Sequence, residues 1–363
     1  MNLVVDCMQV ISGRPLAFFR DRQREFLLKL IERCLSKPVV GPHRRRLRKI
    51  HSFVEARNDS LKLWRNSEAY YPVDYMTRSK DTEYFPYLLE LLEVLVGMKG
   101  MNEAKPLPDG YYRLNGINGR VYEKRDGKLS EIGKEVVCRL SGFQPAVYLP
   151  RNGMFQDILM PKYYPDMKAP PKPSALKTQL TRTLEHMKDF SRDVWEDFQD
   201  AVSNVVLLTS APGVGVGSMA ITHKYFGGVF FNCFMNDEYN GVESLVHEYI
   251  HNRCTLWWES ATPTGLPSDT VHIVSPMTGN RVMASTMIHA LIIYISALQF
   301  YRFIQDRRKP ADRSERARLA RRASHLSKNM PQLYRRLRRT VTSGTDAEKL
   351  LGYLMEVYER EAR

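Results

Sequence analysis

An uncharged run from Val282 to Tyr301 constrains the fold of this chain more than any other feature. It covers 20 residues without a Lys, Arg, Asp or Glu, so it must lie either in a protein core or in a bilayer. Polar groups are costly inside lipid, and this run contains several of them. We therefore predict a buried core helix and a chain with no membrane partner. The polar residues of the run include Ser285, Thr286, His289, Ser296 and Gln299.

The composition is that of a globular protein with an excess of positive charge. Of the 363 residues, 43% are apolar and 26% are charged, which excludes a wholly disordered chain. The 54 Lys and Arg against 40 Asp and Glu give a formal net charge of +14. This excess is compatible with a nucleic acid, an anionic membrane or an acidic peptide as partner, and it selects none of them.

The cysteine pattern predicts reduced thiols and a cytoplasmic protein. The five cysteines are widely spaced and form no CxxC pair, so neither a zinc-finger ligand set nor a disulfide framework is indicated. The N-terminus is not typical of a signal peptide, because Asp6 interrupts its short apolar stretch and no basic segment precedes it.

Residues 1–172 are predicted to form a helical region with a small β-rich segment, which we expect to dock the substrate. Apolar residues recur at helical spacing through 14–66, with a break near residue 40, and again through 84–96. Glycines between 108 and 152 separate short runs that are typical of strands and tight turns. A proline-rich connector at 161–173 is the predicted domain boundary.

Residues 173–363 are predicted to form the catalytic domain, and the whole chain to be mainly α with a small β component (α+β). The pattern indicates buried strands at 205–208 and 228–232 among long helices. The glycine-rich segment 211–217 lacks the GK[ST] ending of a phosphate-binding loop, which favours a flexible loop beside an active site. The predicted helices of this region cover 174–203, 238–258, 281–306, 313–342 and 345–361.

The C-terminal helices carry a strongly basic segment. From Asp306 to Arg339 there are 13 Lys and Arg against three acidic residues. The solvated face of a helix explains such a run, and a docking surface for an acidic peptide or a nucleic acid is the alternative. Of these partners we expect a peptide rather than a nucleic acid.

The motif His247-Glu-Tyr-Ile-His251 carries the most specific chemistry in the sequence. Its flanking residues are apolar at helical spacing, so we expect the motif to lie on an amphipathic helix. Residues i and i+4 share one helix face, which allows both imidazoles to bind one metal ion. Glu248 lies on the adjacent edge, within reach of a metal-bound water. A metal site is therefore favoured over two structural core histidines.

The third metal ligand is predicted to be a histidine downstream of this motif. Metallopeptidases of the HExxHxxGxxH type are excluded, because the required glycine and histidine positions hold Cys and Trp. The class with a downstream glutamate ligand lacks that ligand, since no Glu lies between Glu259 and Glu315. His272, in a predicted loop, and His289, in the uncharged helix, remain. We favour His289, because a metal would offset the cost of burying its imidazole.

The same region offers residues that would bind a co-substrate. Arg281 opens the predicted helix that bears His289, about two turns before it, where a guanidinium would anchor a carboxylate. An exposed arginine at a helix start is the alternative. Thr222, His223 and Lys224 are candidates to line the same pocket, with Lys224 binding an acidic substrate or co-substrate. Three histidine ligands suit zinc and ferrous iron alike, so the residues alone leave the metal open.

Four segments, taken in order, resemble the HExxH-domain family of peptide-modifying enzymes. These enzymes are α-ketoglutarate-dependent, iron-containing peptide β-hydroxylases found with ribosomally made peptide natural products. The resemblance covers roughly residues 200–305. The segments are Gly228-Val-Phe-Phe-Asn, the HExxH helix from Glu243 to Arg253, Ser275-Pro-Met-Thr-Gly-Asn-Arg-Val-Met, and Ile288-His-Ala-Leu.

The resemblance implies a ligand set and a reaction. Fe(II) would be held by His247, His251 and His289, and Arg281 would contact the α-ketoglutarate carboxylate. The reaction would use O2 to hydroxylate an unactivated side-chain β-carbon of a peptide or carrier-protein-bound amino acid in natural-product biosynthesis. The protein would hold the iron with open positions and keep water away from the oxidant.

Two other functions stay open on the residues alone. In a zinc metallopeptidase, Glu248 would be the general base that activates the zinc-bound water. In a non-enzymatic basic binding protein, the metal would be structural or absent, and binding to nucleic acid would fall steeply with salt. The oligomeric state is not indicated by the sequence.

Overall fold

Helices dominate the structure, as the apolar periodicity predicts. In this computed structural model of the chain, eleven α-helices and nine short strands are found among the described residues, so the mainly α fold with a small β component is confirmed. The described residues are 2–15, 18, 22–56, 69–78, 82, 85–98, 110–113, 120–125, 128–134, 142–148, 173–208, 218–220, 226–232, 238–307 and 313–362.

The helices are numbered here in chain order. A 3-10 helix, Pro38–His43, separates α2 from α3 at the predicted break. The α-helices are α1 Leu3–Ser12, α2 Arg22–Leu35, α3 Arg44–Ala56, α4 Tyr70–Arg78, α5 Phe85–Leu95, α6 Pro173–Phe190, α7 Arg192–Ala201, α8 Glu238–Ser260, α9 Ala284–Arg307, α10 Arg313–Arg338 and α11 Asp346–Ala362.

The strands form three small sheets. β1, β2 and β3 are antiparallel neighbours, β4, β5 and β7 are parallel with β6 antiparallel at the β7 edge, and β8 pairs with β9 as a hairpin. Their bounds are β1 Gly110–Arg113, β2 Arg120–Arg125, β3 Lys128–Lys134, β4 Ala146–Tyr148, β5 Asn204–Leu208, β6 Ser218–Met219, β7 Gly228–Asn232, β8 His272–Val274 and β9 Arg281–Met283.

The chain divides into two compact units, each built from separate stretches of sequence. The first unit comprises Met1–Phe19, Leu184–Glu196 and Arg253–Arg363, and the second comprises Arg20–Thr183 and Asp197–Asn252. The predicted boundary at 172–173 is not a boundary of these units, and the connector before it lies outside the described residues. The predicted division into an N-terminal and a catalytic domain stays a prediction.

In the second unit, helices α2 to α5 pack on one another, and the parallel sheet precedes the HExxH helix. The central strand β7 is buried at every position, which suits a strand covered on both faces. It pairs in parallel with β5 through a register that aligns Asn204 with Gly228 and Leu208 with Asn232. The chain then enters α8 at Glu238.

In the first unit, α9 packs against α10 and α11, and α1 packs against α11. The segment Ala284–Asp306 is long and apolar enough to cross a bilayer, yet 83% of its apolar 18-residue window is buried within the protein. Burial of that extent is what a core helix requires, in agreement with the prediction for the uncharged run. Helix α10 buries an apolar stripe from Leu319 to Leu337, whereas its arginines are exposed or half-buried.

Four elements differ from the sequence prediction. His272, predicted to lie in a loop, instead begins strand β8, which pairs with β9. The predicted helix 174–203 is interrupted at Ser191, whose hydroxyl accepts a hydrogen bond from the Val194 N–H at 3.3 Å and so caps α7. Helix α1 was not predicted, because ten residues give too few apolar repeats to establish a period. Arg281 lies in strand β9 and not in the helix, which begins only at Ala284, so its predicted helical spacing to His289 is wrong.

Candidate metal centre

Helix α8 positions the HExxH motif against the interior of the second unit. The motif's apolar neighbours Val242, Leu245, Val246 and Ile250 are buried, and this burial fixes which way the helix faces. The side chains of His247 and His251 are half-buried on the same helix edge. The predicted helix is therefore present, and one edge of it carries the two imidazoles. It is not clearly amphipathic, because the polar side chains of Glu248 and Asn252 are buried as well.

The two histidines face each other through the nitrogens that bind metals. Their Nε2 atoms are 3.1 Å apart, and their ring centroids are 4.8 Å apart. With metal–nitrogen bonds of about 2.0–2.1 Å, two donors at this separation subtend about 100° at a shared ion. That angle lies between the octahedral and tetrahedral values, so the pair fits a divalent transition metal.

The imidazole of His251 is held in the form that a metal requires. Burial, together with the proximity of His247, lowers the pKa of His251 to about 4, although Glu248 acts in the opposite direction. His251 is therefore neutral at physiological pH. Neutral imidazole is the metal-binding form. A protonated imidazole would instead repel a metal cation beside it.

Glu248 completes the cluster as a buried carboxyl. Only 4% of its surface is exposed, and its Oε1 accepts a hydrogen bond from the Ser218 hydroxyl at 2.7 Å. Burial raises the pKa of Glu248, while His251, Ser218 and the backbone of Ala220 lower it by smaller amounts. A carboxyl with a raised pKa close to two imidazoles is suited to proton transfer near neutral pH.

The donor atoms of these three residues form one group. The ligand atoms of His247, Glu248 and His251 all lie within 4.8 Å of one another. Two imidazoles and one carboxylate are a known donor set for ferrous iron, and two imidazoles with further ligands suit zinc. The residues present thus fit a divalent metal, with either Glu248 or a residue outside the group as third ligand.

Asn252 and Tyr249 fix the helix that carries these ligands. Asn252 is 1% exposed, and its Oδ1 accepts a hydrogen bond from the Gly227 N–H at 2.7 Å. Its Nδ2 donates to the carbonyl of Glu248 at 2.9 Å. On the opposite side, the Tyr249 hydroxyl donates to Asp197, a buried carboxylate. These bonds tie α8 to the turn before β7 and to helix α7.

His289, the predicted third ligand, belongs to the first unit. It lies in α9 with 9% of its surface exposed, and its ring centroid is 3.9 Å from that of Trp258. Trp257, which precedes Trp258 in the sequence, is fully buried. Among the described residues, the donor group around HExxH does not include His289. Its role as a ligand stays a prediction.

The remaining predicted residues have mixed outcomes. Arg281 is exposed on β9, where it pairs with Val274 of β8. His272 is also exposed, and its Nδ1 lies 2.9 Å from the carbonyl oxygen of Thr270. The candidate pocket residues Thr222, His223 and Lys224, and the glycine-rich segment 211–217, lie outside the described residues.

Sequence reasoning missed the residues that support the motif. Ser218 stands at the end of a glycine-rich segment whose pattern does not indicate a partner for Glu248. The role of Asn252 could have been predicted from the sequence, because an amide directly after the motif on an apolar helix must find hydrogen-bond partners once it is buried. Comparison with known proteins adds no relative, since no protein-family model and no curated protein matches the chain.

Proposed function

We propose that the chain is a metal-dependent enzyme, namely an Fe(II)/α-ketoglutarate-dependent dioxygenase that hydroxylates a side-chain β-carbon of a peptide or carrier-bound amino acid. The observation that carries the proposal is the pair of imidazole nitrogens 3.1 Å apart beside a buried carboxyl. The order of the segments around it, which resembles that of the HExxH-domain hydroxylases, supports iron and α-ketoglutarate.

In this proposal His247 and His251 hold the metal, and His289 or Glu248 is the third ligand. Bound iron with α-ketoglutarate and O2 supplies the oxidation, in which the co-substrate becomes succinate and CO2 and the substrate C–H becomes C–OH. The chain's own contribution is to orient the imidazoles. Asn252 does so through the backbone of α8. Burial of Glu248 limits the access of water to the site.

The test is to load the anaerobically purified protein with Fe(II) and titrate α-ketoglutarate while recording the visible spectrum. We expect a weak charge-transfer band, and succinate formation when O2 and a peptide substrate are supplied. His247→Ala should abolish the band. Exposed His325→Ala, on α10, is the matched control and should leave it intact. Absence of the band and of succinate in iron-loaded wild-type protein would refute the dioxygenase.

Zinc-dependent peptide hydrolysis is the second candidate, because a buried carboxyl with a raised pKa is a suitable base. In that case Glu248 accepts the proton of the attacking water. The protein would then purify with stoichiometric zinc and cleave a peptide library. Glu248→Gln would lose cleavage by about 10²–10⁴-fold while zinc is retained. Zinc-loaded protein that cleaves no peptide would remove this candidate.

A further inference from the structure

A second site lies on helix α3, within the second unit. The helix buries Leu47, Ile50 and Val54, which recur at helical spacing and face the other helices. The opposite face therefore points outward, and its first two turns consist largely of basic residues. These are Arg44, Arg45, Arg48 and Lys49.

The basic residues line an open cleft and do not simply project into solvent. The cleft has a volume of about 570 Å³, and the described residues that line it include the four cations. The other described lining residues are Ser52, Phe53 and Met98. Ser52 and Phe53 follow the cations by about one turn of α3, so along this helix the lining changes from positive charge to an uncharged surface.

The cations of the cleft contrast with Arg46, which lies on the same helix. The guanidinium of Arg46 binds Glu93 through bonds of 2.6 and 2.7 Å and also contacts Glu90, so its charge is satisfied inside the protein. In the described part of the chain, none of the four cleft cations forms an ion pair. The Nε atom of Arg44 is buried there without a hydrogen-bond partner.

A buried guanidinium N–H without an acceptor is costly, and an anionic ligand would satisfy it. The helix end adds to the attraction, because the first turn of α3 contains no acidic residue and its N-terminal dipole favours negative charge. Cleft charge, helix dipole and the buried Arg44 Nε atom therefore all indicate an anionic ligand.

We propose that this cleft binds an acidic peptide segment. Arg44 with Arg48, and Arg45 with Lys49, form two rows with one-turn spacing, about 6 Å, which matches carboxylates at i and i+4 of a helical peptide. Phe53 and Met98 receive an apolar side chain that follows those carboxylates. A fully enclosed small molecule is disfavoured, because the cleft is open to solvent.

The apolar end also distinguishes a peptide from a nucleic-acid strand. A strand continues with one phosphate per nucleotide and needs cations along its whole path. Among the described residues that line the cleft, no cation follows Lys49, and the later positions are Ser52, Phe53 and Met98. The proposal uses residues different from those of the metal centre and does not depend on the proposed function.

The test measures, by fluorescence anisotropy, the binding of a labelled helical peptide to the full chain. The peptide carries glutamates at i and i+4, followed by leucines. The double variant R45E/R48E should weaken binding at least about tenfold, because both residues are exposed and the change reverses their charge. Lys49→Glu should weaken it less. The matched control R321E alters an exposed arginine of α10 and should leave the affinity unchanged.

Three results would overturn the proposal. The first is an equal loss with R321E, which would mean diffuse attraction to a basic protein. The second is tighter binding of a labelled oligothymidylate that R45E/R48E also abolishes, which would assign the cleft to nucleic acid. The third is no measurable binding of the acidic peptide to the wild-type protein at low salt, where such contacts are strongest.

Discussion

The two long helices α8 and α9 are both largely buried but differ in how their polar residues are held. On α8, the residues of the motif are connected to a second layer of partners: Ser218 holds Glu248, and Asn252 holds the backbone at Gly227. On α9, His289 packs against the ring of Trp258, within the uncharged part of the helix. A polar cluster with such partners is held in a fixed geometry, whereas an imidazole stacked on an aromatic ring also serves packing.

The largest effect that tests this contrast is on metal affinity. We expect His247→Ala or His251→Ala to weaken binding of Zn²⁺ or Co²⁺ by at least about 100-fold, since loss even of an outer-shell partner costs 10–100-fold. His289→Ala should cause a similar loss if His289 is the third ligand, and almost none if Glu248 is. Competition with a chromophoric chelator measures all three affinities.

Either result for His289→Ala shows whether the third metal ligand lies on α8 or on α9. His325→Ala, an exposed histidine of α10, is the control and should bind metal as the wild type does. Unchanged affinity in both HExxH variants would contradict the metal centre itself. Unchanged affinity in His289→Ala alone would assign α9 a packing role and leave the centre on α8.

The second effect is a pH dependence of stability in the metal-free protein. The folded pKa of His251, about 4, lies below its ordinary value of 6.5, so the native state binds fewer protons between these values than the unfolded state does. Stability from this group is present above pH 6.5 and is lost as pH falls towards 4. The loss amounts to a few kcal/mol at most.

Glu248 acts in the opposite direction, because its pKa is raised by burial and its contribution is lost as pH rises. The effect of His251 is therefore isolated by the difference in the free energy of unfolding between the wild type and His251→Gln. Urea unfolding with a chelator present measures it at each pH. The wild type should lose more stability than the variant between pH 6.5 and 4. Equal pH profiles would show that His251 is not held neutral by the fold.

The same contrast explains what the sequence could and could not predict. Helices such as α8, α9 and α10 were predictable, because each contains many apolar residues at spacings that a helix brings together for burial. The short helix α1 and the break at Ser191 were not, since they depend on local capping and few residues. The HExxH pair was predictable from its i, i+4 spacing, which a helix converts directly into proximity. Ser218 was not, because its contact with Glu248 joins residues far apart in sequence.

A third effect concerns how closely α8 approaches its neighbours. A Cβ added at Gly241 would lie 2.7 Å from the Thr183 hydroxyl and 3.2 Å from the ring of Phe231. We expect Gly241→Ala to destabilise the protein by about 1–3 kcal/mol through overpacking. In contrast, a Cβ at Gly352 of α11 meets no atom within 4 Å. Gly352→Ala should be neutral or stabilise by up to about 1 kcal/mol.

Thermal and urea unfolding of these two alanine variants give the comparison directly. A destabilised Gly241→Ala beside an unaffected Gly352→Ala would place the tight packing on α8. Equal stability of the two variants would mean that Thr183 moves aside at little cost and that α8 is not closely held at this point.

The smallest effect compares a buried amide on each helix. Asn252→Leu leaves the buried Gly227 N–H without its acceptor, and we expect a loss of about 1–3 kcal/mol in the free energy of unfolding. Gln299 of α9, which is also buried, instead donates at 3.1 Å to Glu361, a partly exposed carboxylate that water solvates. Gln299→Met should therefore change stability by less than about 0.5 kcal/mol.

A second measurement shows whether Asn252 matters for the site or only for stability. Because Asn252 binds the carbonyl of Glu248, its loss should also weaken Co²⁺ binding and alter the visible spectrum of the bound ion, even at temperatures where the variant is fully folded. Gln299→Met should leave that spectrum unchanged. If both variants gave the wild-type spectrum, Asn252 would contribute to the stability of α8 but not to the geometry of the metal centre. The polar cluster would then consist only of the motif and Ser218.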